Sequence, residues 1–194
     1  MFRAMRHMLR NRKVVIGFLL AIVALVIYLV FFRTLTLSPV AEANQMQQLE
    51  QAKTTHQLAP FASDGCSGNV SKNWRIVVEQ MSETSQSFAE TFAGAENIPF
   101  EYACVEHDKA YHPGEGGYIG RLQADLQLRS EIISYGIERA ATIQTRTGLN
   151  TPEEAIFLYE LIAEAIYRGV RLGGAPCTGE PYAWGYGYGA GKCE

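Results

Sequence analysis

The hydrophobic pattern changes character twice along the chain. Residues 14–32, VVIGFLLAIVALVIYLVFF, are 19 consecutive positions without a charge. As a helix rising about 1.5 Å per residue they reach just under ~30 Å, the thickness of a bilayer's hydrocarbon core. The pattern predicts a transmembrane helix. Residues 33–60 are polar with a Gln-rich centre and read as a linker, helical in part. From residue 61 onward the apolar positions recur at helical spacing, and four helices are expected. Ser71 caps the first, which runs to about residue 92 with Trp74, Val77, Val78 and Met81 on its apolar side. Pro99 opens the second, which passes through CVEHDKAY and breaks at HPGEGG. The third covers about 119–140, with Leu122, Asp125, Leu128 and Ile132 on one face. The fourth starts at the capping box Thr151-Pro152-Glu153-Glu154, buries Leu158, Ile162 and Ile166, and ends at Gly173-Gly174. With little strand signal, the fold class is all-α: a helical domain over 61–194 behind a single transmembrane helix.

Charge fixes the orientation. Arg3, Arg6, Arg10, Arg12 and Lys13 precede the apolar run and only Arg33 follows it closely. By the positive-inside rule residues 1–13 are cytoplasmic and everything after the span is extracytoplasmic. The nearest small-residue cleavage candidate, Ala41-Glu42-Ala43, is separated from the apolar run by a polar stretch, so the span reads as an uncleaved anchor. Beyond Arg33 there remain 11 basic against 20 acidic residues, a formal charge of −9. Such a domain does not gather nucleic acid or anionic lipid by its field alone. Work on a membrane then requires the anchor or a cation to bring it there.

All four cysteines, Cys66, Cys104, Cys177 and Cys193, lie on the outer side, where disulfides persist. Two bridges are expected, and the sequence by itself allows three connectivities. The Gly-rich segment between Cys177 and Cys193 lets those two loop back on each other.

The chemistry concentrates in CVEHDKAY. On a helix turning ~100° per residue, Cys104, His107, Asp108 and Tyr111 share one sector. The following helix carries Asp125 in an otherwise apolar stripe, where an unpaired carboxylate is costly. A short Gly-rich connection favours an antiparallel pair, which brings His107 and Asp125 level. Asp125 then holds one imidazole nitrogen and leaves the other free as a general base. Asp108 adds a second carboxylate. If Cys66 bridges Cys104, the loop Asp64-Gly65-Cys66 joins it, and two carboxylates with loop carbonyls form an all-oxygen site suited to Ca²⁺.

The set Cys-x-x-His-Asp-x-x-Tyr, as Cys104, His107, Asp108 and Tyr111, resembles the active-site helix of secreted phospholipases A2. The DGC loop and the lone cysteine ahead of the His-Asp pair are most similar to the small two-disulfide bacterial and fungal branch. The resemblance covers roughly residues 62–135. It implies a phospholipase A2-like fold, a Cys66 to Cys104 bridge, and calcium-dependent hydrolysis of the sn-2 ester of membrane phospholipids. It makes His107 the base that activates water, Asp125 its support and Tyr111 a brace near Asp125. Asp108, Asp64 and a carbonyl of Gly65 become calcium ligands. The chain departs from the family in lacking a Tyr-x-Gly-x-Gly loop and in carrying Ala110 where the animal motif has a second cysteine.

Two other functions are compatible with the residues. A cysteine hydrolase using Cys104 and His107 requires a free Cys104 thiol. A non-catalytic exported module, a toxin partner or envelope binder, requires only the scaffold. Zinc held by His107 and His112 is disfavoured, since positions five apart diverge by ~140° on a helix. The C-terminal Tyr182, Trp184, Tyr186 and Tyr188, set among glycines, read as a stapled loop packed on the domain before they read as a lipid-interface anchor.

Overall fold

The structure is a computed structural model that describes residues 39–66, 98–147 and 149–189. The expected span at 14–32 and the expected helix at 71–92 lie outside the described residues. Among the described residues no helix is long and apolar enough to cross a membrane. Four α-helices are seen: α1 (Pro39–Thr55), α2 (Glu101–Tyr111), α3 (Gly117–Thr147) and α4 (Pro152–Gly173). They are followed by a 3₁₀ turn, Tyr186–Tyr188, and the described chain is helical without strands.

Helix α2 ends where the sequence supplies no further helix former. His112 caps it by donating its N–H to the Asp108 carbonyl, and a five-residue turn with left-handed Gly114 and Gly116 reverses the chain into α3. The reversal makes α2 and α3 antiparallel: Tyr102 lies against Glu131, His107 against Asp125 and Tyr111 against Arg121. Helix α4 runs back along α3 in the same sense, with Arg129 opposite Glu164 and Tyr135 opposite Tyr159. Its N-cap is as expected. Thr151 accepts from the Glu154 N–H, while the Glu154 carboxylate takes both the backbone N–H and the side-chain amide of Asn150.

The face that α4 buries differs from the one its large aliphatics suggest. Ala155, Tyr159 and Ala163 make the close approach, Leu158 is only half-buried, and Ile162 and Ile166 pack at the flank. Helix crossing explains the rotation. Two alanines bring the backbones together, and Gly136 on α3 leaves room for the Tyr159 ring, which a Cβ there would overlap.

Residues 33–60, expected to be a linker that is helical in part, hold a regular helix over Pro39–Thr55 whose Glu42, Met46, Leu49 and Ala52 are buried. These positions repeat every three or four residues, so one stripe faces inward although the helix is polar as a whole. Met46 and Leu49 join Tyr111, Ala124 and Trp184 in one apolar cluster. A second cluster, around Phe100, Ala103, Leu128, Ile132 and Tyr159, fills the space between α2, α3 and α4.

The C-terminal aromatic segment folds back on the domain. Trp184 is buried with its ring edge-on to Tyr111 at 5.0 Å, and Gly187 donates to the His112 carbonyl at 3.0 Å.

Candidate functional site

The inward face of α2 carries Ala103, Cys104, His107, Asp108 and Tyr111, all buried. Of these, His107 and Tyr111 turn toward α3 and Asp108 turns toward the loop before the disulfide.

His107 Nε2 lies 2.8 Å from Asp125 Oδ1, and Asp125 is fully buried. With Asp125 ionised, Nε2 carries the proton and donates, which leaves Nδ1 as the unprotonated nitrogen. A shallow cleft opens beside the imidazole between α2 and α3, lined by Ala103, Ala110, Ala124 and Leu128 with Glu106 and Glu131.

Asp125 receives more than the imidazole. The Tyr111 hydroxyl donates to Oδ1 at 2.6 Å, and Arg171 Nη1 donates to Oδ2 at 2.8 Å. Arg121 Nε donates to the Tyr111 oxygen at 3.1 Å and stands 3.9 Å from Asp125 Oδ2. Burial pushes Asp125 upward, but the His107 bond, the Arg121 charge and the Tyr111 bond outweigh it and hold the carboxyl below its usual value. The same neighbourhood works the other way on Tyr111. Burial and the Asp125 charge raise it well above the ordinary phenol range, so it remains a donor. Both arginines then reach a second buried carboxylate, Glu42 of α1. Arg121 Nη1 bonds its Oε1, and Arg171 Nη2 bonds its Oε2 at 2.8 Å. Arg121 is closed off by the Val170 and Arg171 carbonyls at 2.8 and 2.7 Å.

At the other edge of the inward face of α2, Cys104 is bonded to Cys66, with Cα atoms 5.0 Å apart. The bridge brings the segment before Cys66 against Asp108, whose Oδ2 accepts from the Ser63 hydroxyl at 2.6 Å. Ser63 Oγ in turn accepts from the Gly65 N–H at 3.1 Å. Gly65 sits at φ 72°, a left-handed conformation, with the Glu101 side chain where a Cβ would be. Burial drives the Asp108 carboxyl up to about 6, against the Ser63 bond and the His107 charge, and the nearby Asp64 charge adds to the rise. Asp64 itself is exposed and raised by partial burial.

No protein family, characterised protein or solved structure matches this chain.

The structure therefore brings together His107, Asp125 and Tyr111 by direct hydrogen bonds, and sets Asp108 of α2 against the disulfide-tied loop that carries Asp64 and Gly65. Cys177 is disulfide-bonded, and Cys193 lies outside the described residues. Because Cys104 is bonded to Cys66, it has no thiol, and a cysteine nucleophile at this position is ruled out. His112 is buried between the rings of Phe61 and Tyr186, at 5.6 and 5.1 Å, and does not share a site with His107. Among the described residues no group of three or more His, Cys, Asp or Glu side chains is arranged to hold a metal. The oxygen groups near Asp108 are the Ser63 hydroxyl and the Asp64 carboxylate. Such a set matches a hard cation that takes carbonyl and water oxygens, and does not match zinc.

Glu42, Arg121, Arg171 and Ser63 escape a reading of the sequence. Arg121 lies four residues before Asp125 on α3, a spacing that places the two on one face, and that signal is local. Glu42 and Arg171 are 129 positions apart, and nothing in either segment points to the other.

Proposed function

We propose that the protein is a calcium-dependent hydrolase of phospholipid esters, of the phospholipase A2 type, with His107 as general base. The observation that carries the reading is the buried His107–Asp125–Tyr111 constellation, with its 2.8 and 2.6 Å hydrogen bonds, next to the buried Asp108 carboxyl, which a disulfide-tied loop meets through Ser63.

In this reading Asp125 fixes the imidazole by accepting from Nε2, and Nδ1 takes the proton from water as its oxygen attacks the ester carbonyl, then returns it to the alcohol oxygen as the acyl C–O bond breaks. Tyr111 and Arg171 hold the two oxygens of Asp125, so the carboxylate cannot rotate away when the imidazole becomes charged. Asp108 and Asp64, with the Gly65 carbonyl, would hold Ca²⁺, which when bound supplies positive charge to the oxyanion and the phosphate. The anchor expected at 14–32 would keep the domain at its lipid supply, and the expected extracytoplasmic setting agrees with a disulfide at the site.

The test uses the full oxidised chain in phospholipid–detergent micelles. Fatty-acid release should depend on Ca²⁺, stop with chelator, and fall about 10²- to 10⁴-fold in His107→Ala. Folded protein that releases no fatty acid with calcium present would overturn the reading in favour of a non-catalytic exported module.

A further inference from the structure

The pair of arginines behind Asp125 poses an electrostatic problem. Arg121 is completely buried and Arg171 partly so, with 12% of its side chain exposed, and both address the carboxylate that supports His107. Two cations on one carboxylate would draw its charge away from the imidazole in a medium where screening is weak. A base whose partner is neutralised from behind loses the support it needs as it takes up a proton.

The structure resolves this with a second carboxylate. Glu42, only 2% exposed, gives one oxygen to each arginine, so the buried cluster holds two cations and two anions. We infer that Glu42 is a positioning residue for the His107–Asp125 pair, its charge keeping Arg121 and Arg171 from taking over Asp125. Glu42 acts through the arginines and touches neither His107 nor the cleft. Its kinetic consequence rests on the hydrolase reading, whereas its electrostatic consequence does not.

Two substitutions should act in opposite directions. Glu42→Gln leaves two arginines on Asp125 alone, and the hydrogen bond from His107 Nε2 weakens. Arg171→Gln removes the cation on Asp125 Oδ2, and that bond strengthens. The experiment reads the ring N–H proton of His107 by NMR in the full ¹⁵N-labelled chain, assigned by its loss in His107→Asn. The signal should move upfield in Glu42→Gln and downfield in Arg171→Gln. Fatty-acid release by Glu42→Gln should show kcat down roughly 10- to 100-fold at unchanged KM.

General damage to packing moves both variants the same way, and that result, or an unmoved signal in folded protein, would overturn the inference. If Glu42→Gln fails to fold, Arg171→Gln decides by the sign of its shift, because its side chain reaches the solvent edge of the cluster. A parent that releases no fatty acid removes the hydrolase reading, and the proton signal alone then judges Glu42.

Discussion

Asp108 shows what a single buried carboxyl does to the protein's response to pH. Burial raises it to about 6 in the folded chain, whereas an unfolded chain leaves it near the ordinary aspartate value. A group raised on folding contributes stability that is complete below about pH 4 and is lost as pH rises through 6. In chelator, the denaturant midpoint should therefore fall between pH 4 and 6.5, by the equivalent of ~2 kcal/mol, and Asp108→Asn should flatten that slope. Parallel curves for parent and variant would show that Asp108 is not buried as described. Tyr111→Phe tests the other flank. It removes the donor to Asp125 and a buried acceptor for Arg121, and should cost about 1–3 kcal/mol in thermal unfolding. The need for such partners was legible in the sequence at one residue. An aspartate among Leu122, Leu128 and Ile132 demands a donor, and the level placement of His107 supplies one. The arginines and Glu42 were not legible, because long-range charge pairing leaves no periodic trace.

At the scale of elements, the helices whose apolar positions repeat cleanly were readable, whereas α1 was legible only as a partly helical linker and its buried stripe was not. Helix α4 carries a Thr-Pro start and a Gly-Gly end, and its bounds follow from capping chemistry. Its orientation did not follow, since the crossing with α3 is set by alanine and glycine, which carry little hydrophobic weight. Helix α1 hides its buried stripe because one of the inward positions is Glu42 and the flanks are glutamines. That stripe still anchors the fold. Leu49 has no exposed surface, and its methyls lie where a Cβ on Gly185 would be. Leu49→Ala should destabilise the domain by about 2–5 kcal/mol, read as a lower thermal midpoint. A loss below ~0.5 kcal/mol would mean that α1 rides on the surface.

For the whole molecule, the described chain places the His107 pair between two apolar clusters and ties one edge with a disulfide. The Cys66–Cys104 bridge spans 38 residues. Replacing both cysteines with serine should cost about 2–4 kcal/mol, with a matching fall in the midpoint of thermal unfolding, and should loosen the Ser63–Asp108 contact. An unchanged midpoint would show that the loop is held by packing alone. The all-α class came through in the sequence because helix periodicity is local. The joining of α1 to the other helices did not, because it depends on surfaces far apart in the chain. Residues 54–62 between α1 and the disulfide loop are exposed, and α1 is held mainly by side chains on its inner stripe. A protease cut at Gln57 or Leu58 would therefore leave two pieces still gripping each other through Glu42, Met46 and Leu49. Such a cut would leave Glu42 supplied to the site by a separate peptide.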